Sequence, residues 1–218
     1  AKTAQMSCNP AIGGVAKGQL CREIDALGGL MARVIDSTGI HYKMLNASKG
    51  PAVRGPRAQA DRFLYQQDMK RVCEGTDNLF LKQAEVHDLL MANDVVVGVR
   101  TTFEEEIAAR AVIVCTGTFL RGRLHFGMTT IVGGRGGASA SDGLSDAYRG
   151  LGFEVGRLKT GTCARIHQRS INFEALEAQP GDLEPRPFSF ATPVAGFNRN
   201  VVLCWLSHTT EKLSLIHI

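Results

Sequence analysis

Met6-Ser-Cys-Asn-Pro-Ala-Ile-Gly-Gly-Val-Ala-Lys-Gly18 places a cysteine, a turn and a glycine loop directly before a helix. Proline fixes its own φ and keeps its predecessor out of the α region, so Asn9-Pro10 predicts a turn. Gly13, Gly14 and Gly18 let the backbone approach another group without a Cβ in the way. Leu20, Ile24 and Leu27 then recur at helical spacing and predict the buried face of a helix. Gly28-Gly29 predicts its stop, so residues 17–37 read as one or two short helices. A glycine loop feeding a helix N-terminus suits an anion, and Cys8 at its mouth is a candidate reactive thiol.

Working outward, residues 40–45 read as a short strand and residues 46–57, with two Gly-Pro steps, as a loop. A helix is expected over 58–74, burying Ala60, Phe63, Leu64 and Val72 and ending at Gly75. The period then changes. Leu79–Lys82, Glu85–Leu90 and Val95–Val99 read as strands, with Asn93-Asp94 as a hairpin turn. Ala111-Val-Ile-Val-Cys115 is a continuous apolar run, the pattern of a strand buried on both faces of a parallel sheet. It ends in Thr116-Gly117, and ligands of open α/β sheets sit beyond such carboxyl ends. Gly133-Gly-Arg-Gly-Gly137 is a loop, and a helix over 142–151 can be capped by Ser141 or Asp142.

The 218 residues suffice for one large domain or two small ones, and 44% apolar with 21% charged residues is ordinary for a globular protein. No run approaches the roughly 18 apolar residues of a membrane span. The six cysteines (8, 21, 73, 115, 163 and 204) show no Cys-x-x-Cys and no metal-ligand spacing, so no metal site is expected. The 25 basic and 21 acidic residues leave a net charge of +4. The cations gather in glycine- or proline-bearing loops: Lys49, Arg54, Arg57 and Arg62; Arg121, Arg123 and Arg135; Arg157, Lys159, Arg165 and Arg169. Basic loops suit phosphate, on a cofactor or on nucleic acid, and otherwise make a solvated surface.

Seven stretches resemble one family in order and spacing: Met6–Gly14, Glu23–Met31, Leu45–Val53, Arg57–Arg62, Gly117–Leu120, Gly156–Thr162 and Ser207–Thr209. It is the large, FAD-binding subunit family of the tRNA uridine 5-carboxymethylaminomethyl modification enzyme, also called glucose-inhibited division protein A. The resemblance implies an α/β fold, with a Rossmann-like FAD-binding parallel sheet and an inserted smaller mixed domain. On that basis residues 1–119 are expected to be part of the FAD-binding domain and 120–212 part of the inserted, substrate-side domain. Residues 213–218 are expected to be a non-native tail. The family's fingerprint strand and C-terminal helical domain are expected to be missing, leaving a fragment.

The resemblance further implies an FAD-dependent enzyme acting on tRNA wobble uridine. NADH would be its reductant and methylene-tetrahydrofolate its one-carbon donor. A GTPase subunit would be its partner, with homodimerisation at full length and a cytoplasmic or organellar setting. It assigns Cys8 to catalysis and Asn9, Gly13, Gly14, Val86, Thr116, Gly117 and Ser141 to FAD. Lys159 and Arg165 are candidates for RNA phosphate. The alternatives are a generic FAD-dependent oxidoreductase of related fold and a non-catalytic tRNA-binding fragment. The first calls for a redox cysteine pair, which the spacing does not offer.

Overall fold

The computed structural model describes residues 2–161, 166–195 and 197, together with the backbone of 204–206. They form two compact units, one from residues up to 81 with the segment after 165, the other from residues 82–164. Each is mixed α/β, as the sequence predicts.

The first unit is built on an antiparallel sheet. β1 (Ala11–Gly13) is followed by α1 (Lys17–Ala26), α2 (Met31–Thr38), β2 (Gly39–Leu45), β3 (Gly55–Ala60) and α3 (Arg62–Glu74). β3 lies between β1 and β2. The central strand therefore joins the end of the stretch expected to be loop, residues 55–57, to the first three residues of the expected helix, 58–60. Pro56 is tolerated there because it sits at the strand's start. Its carbonyl accepts the Gly14 N–H at 2.8 Å, and the N–H of its cross-strand neighbour Met44 donates to Asp182 Oδ2 at 2.8 Å.

The break at Gly28-Gly29 is observed, but α1 is rotated from its expected orientation. Gly18, Cys21 and Asp25 face inward, while Leu20, Ile24 and Leu27 are 56%, 46% and 90% exposed. Contact with Pro56 explains the rotation: a Cβ on Gly18 would lie 2.6 Å from Pro56 Cδ, so this glycine is the point of closest approach. α3 also starts later than expected. Asp61 caps it, accepting from the N–H groups of Phe63 and Leu64, and the resulting register buries Tyr65 and packs Met69 against the core. Phe63 and Leu64 are exposed, and Ala60 is buried as a strand residue. Gly75 caps the helix as expected.

The core gathers Ile12, Val34, Ile35, Tyr42, Ala58, Tyr65 and Phe188. Tyr42 also ends α2: its hydroxyl donates to the carbonyls of Ile35 at 2.9 Å and Asp36 at 3.3 Å, two acceptors that a helix C-terminus leaves open.

The second unit carries β4 (Val86–Ala92), β5 (Val95–Thr101) and β6 (Glu106–Ala108) in an antiparallel sheet, then the hairpin β7 (Arg123–Phe126) and β8 (Thr129–Val132), then α4 (Gly143–Gly150). Asn93 and Asp94 have φ of 50° and 62°, the left-handed pair a two-residue hairpin turn requires. Arg100 on the central strand β5 pairs with Asp88 on β4, Glu106 on β6 and Glu104 in the turn between β5 and β6. α4 packs on β4. Neither expected residue caps α4 through its side chain: the Asp142 side chain makes no capping bond, and Ser141 is engaged elsewhere.

Two expected strands do not form. Residues 79–82 follow the turn after α3 without regular structure, with Phe80 90% exposed. Residues 111–115 join no ladder, and Ile113 is 88% exposed. A strand needs a partner for its N–H and C=O groups, and no described strand runs beside this one. Every described ladder is antiparallel, and the parallel pairing among the described residues is an isolated bridge between Leu120 and Ser141. Near the end of the described chain, β9 (Glu177–Gln179) pairs antiparallel with β10 (Cys204–Leu206) in the first unit.

Candidate functional site

In the first unit the cysteine loop is anchored on both sides. Met6 packs against the core, and the Pro10 carbonyl accepts the Ala60 N–H at 2.7 Å, at the end of β3. Between these anchors Asn9 makes a tight turn, its carbonyl accepting the Ala11 N–H at 2.8 Å. Cys8 is half-buried and not in a disulfide, and Asn9 is exposed. The loop that carries the thiol thus has fixed ends and an accessible middle.

The two following glycines have different reasons to be there. Gly13 has φ 85°, and a Cβ would lie 2.2 Å from the Pro56 carbonyl oxygen and 2.5 Å from Phe188 Cζ. It is a packing glycine. Gly14 has φ 103°, and a Cβ would meet only Leu45 Cδ1, at 4.0 Å. Its N–H bonds to Pro56, and its carbonyl accepts from Lys17 at 3.2 Å and Gly18 at 2.8 Å. Three amides at this helix start are therefore committed to protein carbonyls. Gly14 is itself buried, so the space over its Cα admits a methyl group and its positive φ is what calls for glycine.

In the second unit the structure brings together four residues that the resemblance assigns to one cofactor. Ser141 Oγ donates to the Val86 carbonyl at 3.4 Å across 55 residues of sequence. The Ser141 N–H donates to Phe119 at 2.9 Å, and the Phe119 N–H closes a turn on the Thr116 carbonyl at 3.1 Å. Gly117 lies inside that turn with φ 56°, and no atom lies within 4 Å of where its Cβ would be. Thr118 Oγ1 donates to Gly134 at 2.6 Å, tying the turn to the glycine-rich loop of residues 133–137. The result is a polar shelf of open backbone beside the start of β4.

Lys159 is exposed, whereas Arg165 lies outside the described residues, as do Thr162, Ser207–Thr209 and the tail over 213–218. Among the described residues no group of His, Cys, Asp or Glu could hold a metal ion, and no helix is long and apolar enough to cross a membrane.

Sequence reasoning missed Asp25 and Asp36, two acids that hold residues 188–190 against the first unit. Asp36 accepts the N–H groups of Phe188 at 2.7 Å and Ser189 at 2.9 Å, and Asp25 accepts that of Phe190 at 2.8 Å. Both acids are buried. Burial pushes the Asp36 carboxyl above its ordinary value, against the hydrogen bonds from Thr192, Phe188 and Ser189. The available signal was an acid within the apolar run Ala32, Val34 and Ile35 of α2.

The family described as glucose inhibited division protein A matches residues 1–217. A protein of Aquifex aeolicus named tRNA uridine 5-carboxymethylaminomethyl modification enzyme MnmG is 54% identical over 213 residues, covering 95% of this chain and 34% of that protein. A Desulfotalea psychrophila protein of the same name is 50% identical over 207 residues, covering 95% of this chain and 32% of its own. The crystal structure of Aquifex aeolicus GidA superposes with a TM-score of 0.85 at 53% identity, over 92% of this chain and 34% of that one. The chain thus spans about a third of the length of these relatives. With a match from end to end and a shared fold, this chain belongs to the glucose-inhibited division protein A family.

Proposed function

We propose that this chain is part of an FAD-dependent enzyme that modifies C5 of tRNA wobble uridine with a carboxymethylaminomethyl or aminomethyl group. The observation that carries the reading is the 54% identity to the Aquifex aeolicus protein named for that modification. The residues present fit a dinucleotide. Gly117 leaves its turn open to a close-lying phosphate, and Val86 presents a backbone edge beside Ser141. Val86, Thr116, Gly117 and Ser141 would hold the adenine and phosphate portion. Asn9, Gly13 and Gly14 are assigned to the flavin side. On this reading residues 1–119 would serve the cofactor together with Ser141, and the rest of 120–212 the substrate.

When bound, the flavin supplies the redox capacity of the reaction. Cys8 is assigned as a nucleophile toward the uracil ring or a one-carbon intermediate; its anchored loop holds the thiol in place for attack. The base must leave the anticodon stack to be reached, and cationic loops such as that of Lys159 would hold the flanking phosphates. A folate-derived methylene would supply the carbon and NADH the reducing equivalents. A GTPase subunit would be the partner of a homodimeric, cytoplasmic parent protein.

The test is nucleoside mass spectrometry of total tRNA from a strain in which the gene is disrupted. Loss of 5-carboxymethylaminomethyl-type uridines, restored by the intact gene, is the expected result. An unchanged profile would remove this reading.

A further inference from the structure

The first unit contains an open pocket of about 190 Å³ that none of the assigned site residues lines. Its cations are Arg22, Lys43, Arg57 and Arg186, and its carboxylates are Asp182 and Glu184. From its contents we infer that the pocket is a subsite for one ribonucleotide phosphate of an RNA backbone, an inference that rests on the tRNA reading above.

Two of the cations are put in place by the protein itself. Arg22 Nη2 donates to the Pro187 carbonyl at 3.0 Å, and its guanidinium lies 5.2 Å from the Phe190 ring centroid. Its Nε is buried and has no hydrogen-bond partner among the described residues. A buried charged donor without an acceptor is costly unless a ligand supplies one. Lys43 Nζ is held by the Pro180 carbonyl at 2.8 Å.

The other two cations are uncommitted. The guanidinium groups of Arg57 and Arg186 make no ion pair or hydrogen bond with the described residues, although two carboxylates share the pocket. Lys43 and Arg57 are also direct cross-strand partners on β2 and β3. Like charges placed opposite each other weaken a sheet, and an anion between them reverses the sign. Guanidinium forks match the oxygens of a phosphate.

Size selects the kind of ligand. Pockets that enclose a whole small molecule run to roughly 300–1,000 Å³, so this one takes a group projecting from something larger. The carboxylates narrow it further. Asp182 is occupied with the Met44 N–H. Glu184 is exposed at the pocket and can accept a hydrogen bond, which a ribose 2′-hydroxyl offers and deoxyribose does not.

The experiment is fluorescence anisotropy of an unmodified tRNA transcript with the full chain and its R57Q, R186Q and R57Q/R186Q variants, each across a salt series. R57K/R186K tests whether charge alone restores binding, and thermal melts check that each variant is folded. The expected result is about tenfold weaker binding by the double variant. The slope of log K against log salt should fall by about 1, with most of it restored by the lysines. E184L, which removes the acceptor, is expected to lose the preference for RNA over a DNA of the same sequence. Wild-type affinity and slope in a folded double variant would overturn the subsite while leaving the tRNA reading intact. A wild-type chain that binds no tRNA would overturn both. If AMP or inorganic phosphate then binds with a dependence on Arg57 and Arg186, the pocket is a mononucleotide or free-phosphate site instead.

Discussion

Asp36 on α2 accepts the backbone N–H of Phe188 at 2.7 Å, from 152 residues further along the chain. The same carboxylate takes the Ser189 N–H at 2.9 Å, and Phe188 is 2% exposed. One side chain therefore ties the later segment of the first unit to its helical layer and seats an aromatic ring in the core.

Replacing that acid leaves two buried amides without an acceptor. Asp36→Ala is expected to destabilise the chain by about 3 kcal/mol, given that each hydrogen bond to a charged group contributes roughly 1.5–3 kcal/mol. Asp36→Asn retains one acceptor and should cost less. Urea midpoints of the three proteins measure the order. An Ala variant as stable as wild type would show that the 188–190 segment is held by its ring contacts alone.

Stability should also carry a proton-linked term at this site. The Asp36 carboxyl is raised from its ordinary 3.8, mainly by burial. The folded state then binds this proton more tightly than the unfolded state. The Asp36 contribution is thus largest below the unfolded value and declines as pH rises through the folded one. Asp36→Asn should remove that decline. Parallel urea titrations of wild type and variant from acid to neutral pH test the sign, and a wild-type midpoint that rose more steeply than the variant's would contradict it.

Glycines with similar sequence settings should respond unequally to alanine. At Gly18 a Cβ would lie 2.6 Å from Pro56 Cδ and 2.7 Å from its carbonyl oxygen, so Gly18→Ala must push α1 off β3, at about 1–3 kcal/mol. At Gly117 space is open and only the φ of 56° is strained, at about 1–2 kcal/mol. Gly50 has φ −62° and open surroundings, so Gly50→Ala should be near neutral. Thermal melts of the three variants rank them. Equal losses would argue against close packing as the reason for Gly18.

Thiol reactivity should follow burial. Cys21 is 7% exposed, its Sγ lies 3.5 Å from Met31 Sδ, and burial pushes its thiol above the ordinary value. Cys115 is exposed. Brief iodoacetamide treatment followed by peptide mass spectrometry should label Cys115 well before Cys21. Early labelling of Cys21 would mean that α1 opens readily from the sheet.

At the assigned thiol, Cys8→Ser in the active parent enzyme should abolish modification of tRNA while leaving tRNA affinity and the melting temperature unchanged. Turnover at the wild-type rate would reassign Cys8 to packing.

Much of this protein was legible in local chemistry. The breaks at Gly28-Gly29 and Gly75, the β2 strand and the Asn93-Asp94 hairpin all follow from φ preferences and short-range periodicity. So did the family, because Met6–Gly14 and its companion stretches are retained as sequence. Tertiary structure decided which faces turn inward. Leu20, Ile24 and Leu27 satisfy helical spacing, yet contact between Gly18 and Pro56 turns them to solvent. It decided that residues 55–60 form a central strand and that the apolar run 111–115 does not, because pairing depends on what lies alongside. It also placed Ser141 on Val86 and Arg57 opposite Lys43. Periodicity describes which side of an element is apolar. Only packing against distant residues determines which side is buried, and which charges meet.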